Sequence, residues 1–203
     1  MARYTGPTAK RWRRIGQMPP DGSGTAVGRR NYPPGQHGLR RGAKLSEYAT
    51  QLREKQKARY TYGLLERQFR NYYRKADRQS GVTGENLMRM LELRLDNVVF
   101  RLGLTETRAE ARQLVTHGHV RLSGKRVKSP SYEVSTGDEV SLSEKFGKGY
   151  KERTDMDALK SQGTPAWLTL DAAKLTGKVV TEPGRADIDA AVNEQLIVEF
   201  YSR

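Results

Sequence analysis

Positive charge is gathered at one end of this 203-residue chain, and that segregation limits its fold more than any other feature. Residues 1–75 hold 18 Lys/Arg against 4 Asp/Glu, whereas residues 76–203 hold 19 of each sign. The entire net charge of +14 therefore belongs to the first third. Within residues 1–44, Arg3, Arg11, Arg13, Arg14, Arg29, Arg30, Arg40, Arg41 and Lys44 are interleaved with Pro, Gly and Ser, with little apolar patterning. Such a stretch buries too little apolar surface to offset the entropy of ordering itself. Residues 1–44 are expected to be a basic, weakly structured arm that a polyanion orders.

The rest of the chain carries regular patterns. The hydrophobic fraction is 35%, and the 20 glycines bring the apolar share to about 45%, enough for a small core. Ser46 is placed to cap a helix rich in good helix formers, Leu52 to Ala58. After Gly63, Leu65, Phe69, Tyr72 and Ala76 fall on one helical face. Helical spacing resumes from Glu85 and runs through Leu95, Val98, Val99 and Leu102 to a stop at Gly103. Thr107-Arg108-Ala109-Glu110 reads as a capping box, with Ala111, Leu114 and Val115 as the apolar face and Gly118 as the stop. The period then changes to two: Val120 and Leu122 alternate with Arg121, Ser123-Gly124 makes a hairpin turn, and Thr136-Gly137-Asp138 makes another before Val140 and Leu142. Short strands are expected at 167–170 and 178–181, and a terminal helix at 193–201.

The expected fold class is α+β, a discontinuous, mostly helical domain with an inserted helix–helix–hairpin module. The expected boundaries are 1–44 for the arm, 45–93 plus 164–203 for the helical domain, and 94–163 for the module with its following linker. Trp167, Leu196, Ile197 and Phe200 are expected in the helical core.

Several classes of function drop out. With no cysteine there is neither a disulfide framework nor a thiolate metal site. No run of about 18 apolar residues occurs, and no apolar segment follows the first residues as in a secretory signal. Residues 1–44 show no large apolar helix face for a membrane surface. Gly35-Gln36-His37-Gly38 is too short for a phosphate-binding loop and lacks its Lys-Ser/Thr. His117 and His119 flank a helix stop with no carboxylate cluster around them. Neither a cofactor, a metal, a small-molecule substrate nor a membrane partner is expected.

A nucleic-acid partner fits instead. Arg108 and Arg112 are one helical turn apart, the hairpin adds Arg121, Lys125, Arg126 and Lys128, and residues 94–128 hold 8 basic against 3 acidic residues. Such a surface would grip phosphates and 2′-hydroxyls and read the shape of A-form RNA.

Arg94-Leu95-Asp96-Asn97-Val98-Val99-Phe100-Arg101-Leu102-Gly103, the stretch from Thr107 to Val115, and His117-Gly118-His119 resemble the S-four RNA-binding domain. Met1-Ala2-Arg3-Tyr4, the stretch from Pro33 to Gly38, Leu52 to Lys57, Glu66 to Tyr73 and Asn193 to Ser202 resemble one family, the bacterial-type small-subunit ribosomal protein four. The resemblance spans nearly the whole chain in the family's order. It implies a structural constituent of the small ribosomal subunit, a primary binder of ribosomal RNA that nucleates assembly of the subunit body. It implies contact with small-subunit ribosomal protein five, bearing on translational accuracy, and a place near the messenger RNA entry, where Arg40, Arg41 and Lys44 would stand. The setting would be a cytoplasmic, bacterial-type ribosome or its organelle equivalent. Many relatives carry a four-cysteine zinc knuckle; its absence here implies a zinc-free arm held by RNA contacts.

The RNA-binding residues expected on these grounds are the nine arm residues above with His37, then Arg53, Lys55, Lys57, Arg67, Arg70 and Tyr73, and in the module Arg108, Arg112, Gln113, His117, Arg121, Lys125 and Lys128. No residue is expected to be catalytic. Arg94-Leu95-Asp96 mimics the motif of the catalytic aspartate in pseudouridine synthases, but Leu95 lies on a core stripe and too little chain remains for a catalytic domain. The competing readings are an RNA-modifying enzyme that docks through this module and a regulator that binds messenger RNA.

Overall fold

The computed structural model describes residues 4–20, 29–30, 32–39, 44–153, 163–171, 174–188 and 192–203. It divides the chain into two units, residues 1–87 with 190–203, and residues 88–189.

The first unit is helical. Helix α1 (Thr8–Ile15) ends at Gly16, whose φ of 80° lets its N–H reach back to the Trp12 carbonyl. Ser46 caps α2 (Glu47–Thr61), accepting from the Ala49 N–H at 3.3 Å. Helix α3 (Glu66–Asp77) follows, then α4 (Thr83–Glu92), within which the division between units falls. Helix α8 (Glu194–Ser202) closes the chain, capped by Asn193, and lies against α2.

The arm is not as unstructured as its composition predicts. Trp12 is buried and meets the Tyr60 ring edge-on at 6.2 Å, so one large aromatic side chain supplies the apolar contact that α1 otherwise lacks. Arg13 donates its Nε–H to the Tyr32 carbonyl at 3.0 Å, with its guanidinium over the Tyr32 ring. Contacts within the protein thus hold part of the arm that was expected to depend on RNA.

One carboxylate ties the helical unit together. Glu66 accepts from Lys55 at 2.9 Å, Arg59 at 3.0 Å and the Tyr201 hydroxyl at 2.9 Å, joining α2, α3 and α8. Burial works against its charge, yet hydrogen bonds from Lys55 and Tyr201 and the nearby Lys55 and Arg59 charges hold its pKa below the ordinary 4.5. Burial, together with its bond to Glu66, pushes the Tyr201 phenol far above its usual range. Tyr201 also stacks on Tyr73, with ring centroids 4.6 Å apart.

The second unit is a helix pair on a sheet. Helix α5 (Leu95–Arg101) packs against α6 (Arg108–His117), which begins at the Thr107 cap and stops at Gly118 with φ 74°. The helical pattern read from Glu85 to Leu102 is in fact two helices. The chain breaks at Leu93–Arg94, where Val134 donates to the Leu93 carbonyl and Arg94 bridges Glu133. Strands β1 (Val120–Leu122), β2 (Lys125–Arg126), β3 (Glu139–Leu142), β4 (Leu168–Asp171) and β5 (Thr176–Val179) form an antiparallel sheet in the order β2-β1-β3-β5-β4. Ser123 and Gly124 both have positive φ, as a two-residue hairpin turn requires. Helix α7 (Glu144–Arg153) follows β3.

Two expectations about the core are corrected. Strands β4 and β5 do not return to the helical domain, because β5 pairs with β3 through Val140↔Gly177. The module accordingly runs to 189 rather than 163. Trp167, at 1% exposure, belongs to its core with Leu95, Val99, Leu102, Val115 and Val140. Gly177 is needed there: Leu102 packs onto its bare backbone where a Cβ would lie. In the helical unit Ile197 is fully buried, but Leu196 and Phe200 are only half-buried.

Ile197→Ala should therefore cost about 2–5 kcal/mol in chemical denaturation, and Phe200→Ala less, because only the first leaves an enclosed cavity. Glu66 contributes stability that is present above pH 4.5 and lost as pH falls through its lower folded-state pKa. Glu66→Gln should lower stability at neutral pH and reduce its acid-side dependence, as measured by denaturant titration from pH 7 to 3.

Candidate nucleic-acid interface

In the second unit, half the basic residues that suggested an RNA surface are drawn into internal pairs. Arg94 makes two bonds to the Asp96 carboxylate, at 3.0 and 2.7 Å, with both side chains buried. Arg112, whose side chain is only 12% exposed, approaches the same carboxylate at 3.6 Å. Glu92, at 1% exposure, accepts two bonds from Arg101 at 3.0 and 2.9 Å and one from Asn97 at 2.6 Å. Asn97 in turn accepts from Arg108 at 2.8 Å, and the Arg108 guanidinium lies over the Phe100 ring.

These contacts explain the Arg-Leu-Asp-Asn sequence as a brace between α5 and α6. Asp96 also accepts the Asn97 backbone N–H at 3.0 Å, so its lone pairs serve the helix start and two guanidinium groups. Arg108 and Arg112, one turn apart on α6 and expected to grip RNA, are engaged by the side chains of α5. Their pairs join residues eleven and sixteen positions apart, a separation that carries no local signal in the sequence.

The hairpin keeps its charge at the surface. Arg121, Lys125 and Lys128 are exposed, as are Gln113 and His117 on α6. Register places Arg121 opposite Arg126 on one side and Ser141 on the other, so the basic pair lies on the outer face while Val120 and Leu122 face the core. Arg126 anchors the turn by donating to the Gly118 carbonyl at 2.9 Å and the His117 carbonyl at 3.0 Å, the free end of α6. His119 stacks on Phe146 at 4.2 Å. Burial first, then the neighbouring His117 and Arg126, hold its pKa below 6.5.

The helical unit shows a second basic surface. Arg67 and Arg70 are exposed on α3, together with Arg74, which lies one turn beyond Arg70 and is not among the expected RNA-binding residues. Arg78 continues the line at the helix end, also exposed. Two neighbouring candidates are removed. Lys55 is buried against Glu66, and Tyr73 is stacked on Tyr201 in the core. Tyr72 and Tyr73 are both compatible with an apolar helix face, and it is Tyr201 that selects Tyr73. Lys57 is largely covered and pairs with Glu54 at 3.6 Å, while Arg53 is half-buried.

In the arm, Arg14, Arg29, Arg30, His37 and Lys44 are exposed and Arg11 and Arg13 half-buried. Arg11 has its guanidinium over Tyr4 and Tyr60. Arg3, Arg40 and Arg41 lie outside the described residues. Among the described residues no three His, Asp or Glu side chains gather as metal ligands, and no helix is long and apolar enough to cross a membrane.

A braced helix pair carrying a basic hairpin, joined to a helical unit with its own arginine-rich face, defines an RNA-binding protein. A family model described as the ribosomal protein S4/S9 N-terminal domain matches residues 3–92, and one described as the S4 domain matches residues 93–140. The chain is 51% identical to small ribosomal subunit protein uS4 of Desulforamulus reducens. It is 52% identical to uS4 of Geotalea daltonii and 53% to that of Heliobacterium modesticaldum. Each of these alignments covers 100% of both chains. The chain belongs to the family of small ribosomal subunit protein uS4.

The two kinds of arginine should separate on substitution. Arg112→Gln should cost about 1–3 kcal/mol of stability by weakening a buried charged contact. Arg121→Gln with Lys125→Gln should leave the melting temperature unchanged. If both touch phosphates, that pair should lower the slope of log affinity against log salt by roughly 0.7–0.9 per lost contact. RNA filter binding at several salt concentrations, beside thermal melts, measures both.

Proposed function

We propose that this chain is a structural constituent of the small ribosomal subunit. It binds the subunit's ribosomal RNA directly and early, and nucleates assembly of the subunit body. The likeness to uS4 over the full length of both chains carries this reading, since it extends through both units and the arm. The exposed Arg121, Lys125 and Lys128 on the hairpin and Arg67, Arg70 and Arg74 on α3 are the positions we assign to RNA backbone contact. Gln113, His117, His37, Lys44, Arg29 and Arg30 are assigned the same role by their exposure.

The finer placement follows from the family resemblance. The protein contacts small-subunit ribosomal protein five, influences decoding accuracy through that contact, and lies beside the messenger RNA entry, with Lys44 near that path. Its setting is the cytoplasm, in a bacterial-type ribosome. Its work is binding rather than catalysis. The position that mimics a catalytic aspartate, Asp96, is held by Arg94 and Arg112 and serves to brace two helices.

Footprinting on naked small-subunit ribosomal RNA is the test. Protection at a multi-helix junction with no other protein present is expected. Protection that arises only after other proteins have bound would rule out early, direct binding. Modified nucleosides in RNA incubated with the pure protein, detected by mass spectrometry, would favour the enzyme instead.

A further inference from the structure

The helical unit is built from two stretches of sequence with the whole second unit between them, and the later stretch is short. Helix α8 has 9 residues, α2 has 15 and α3 has 12. Helices of these lengths are marginal in water on their own, so each depends on what it packs against. For α2 the main partner is α8.

The side chains that α2 and α3 bury show how much they need that partner. Gln51 and Lys55 are buried on α2, although neither is apolar. Gln51 donates to the Glu199 carboxylate at 3.0 Å, and the Lys55 ammonium lies 4.7 Å from the centre of the Phe200 ring. Burying a polar group is costly unless it is paired. Without α8, Gln51 loses its acceptor and Lys55 the ring beside it, so this face of α2 gains little by leaving water. On α3, Phe69 and Tyr73 are buried, and Tyr201 stacks on both, at 6.3 and 4.6 Å. Glu54 of α2 accepts the Asn193 N–H at the start of α8 at 3.1 Å. Helix α8 also brings Glu194 and Glu199 to a unit whose first 75 residues hold 18 Lys/Arg against 4 Asp/Glu, which eases their mutual repulsion.

The second unit needs none of this. Its core runs from Leu93 to Val179 and is closed by its own helices and strands. Units of a chain generally fold in the order of synthesis, N-terminal first. Here the packing reverses that order. We propose that α8 is the keystone of the helical unit: α2, α3 and α8 fold in one cooperative step, after the second unit has formed. Synthesis of residues 194–202 is then the trigger that folds residues made far earlier.

The test uses the full chain without RNA. Native-state hydrogen exchange in rising urea should give the amides of α2, α3 and α8 one shared opening free energy and one urea dependence. Tyr201→Phe keeps the ring and removes only the bond to Glu66. Protection in all three helices should then fall by a common factor, on the order of 10–100-fold for a hydrogen bond to a charged group, while α5, α6 and the sheet are unchanged. A loss confined to α8, with α2 and α3 at wild-type protection, would overturn the keystone. Ile197→Asp places a charge in a fully buried site and should undock α8 altogether. The chain has two tryptophans, Trp12 against Tyr60 of α2 and Trp167 in the second core, so their indole N–H signals in NMR follow the units separately. In Ile197→Asp the Trp12 signal should move to its unfolded position while that of Trp167 stays. A Trp12 signal that remains folded would mean that the unit forms without α8. Loss of both signals would mean that the second unit does not form first. Either result overturns the proposal.

Discussion

Glu66 is one of only four acidic residues among the first 75, and the helical unit depends on it. Its carboxylate gathers Lys55 and Arg59 from α2 and Tyr201 from the terminal helix. A buried lysine such as Lys55 is tolerable only beside a partner that offsets its desolvation. That requirement puts the two distant ends of the unit together: residue 66 meets residue 201, with the whole second unit intervening in sequence. Tyr201 adds its ring to Tyr73 and Phe69, so the ionic contact and the aromatic packing reinforce one alignment of α8.

The second unit follows the same logic with a different outcome. Its basic residues outnumber its acidic ones between 94 and 128, but Arg94, Arg101, Arg108 and Arg112 are engaged with Asp96, Glu92 and Asn97. Arg108 and Arg112 brace α6 against α5, Arg101 ties α5 to the end of α4, and Arg94 fixes the start of α5. The charge left to meet a polyanion lies on the hairpin, where alternation sends Arg121 outward and Leu122 inward. A count of charges along a helix thus overstates what its surface offers, because a carboxylate from another turn can claim them.

How far the sequence can be read depends on the range of the interaction involved. Ser46, Thr107 and Gly118 act as helix punctuation where expected, and Ser123-Gly124 turns the hairpin, because capping and turn geometry are settled within a few residues. The allocation of β4 and β5 is settled by pairing across some 35 positions, between Ser141 and Thr176 and their neighbours. Trp167 went with them into the module. α1 formed in a segment whose composition argued against it, because Trp12 found Tyr60 nearly fifty residues away.

The sequence by itself determined the class of the molecule: its one-sided charge, its lack of cysteine, the caps at Ser46 and Thr107, the stop at Gly118, the hairpin, and a family likeness along the whole chain. Those properties reside in composition and in short-range order. Only the tertiary structure decided which arginines are available to a partner. Lys55 and Tyr73 are in the core, Arg112 is held by Asp96, and Arg67, Arg70 and Arg74 remain at the surface. The reason is electrostatic and steric: a side chain's role depends on the desolvation it meets and the partner within reach, and both are set by segments far away in sequence.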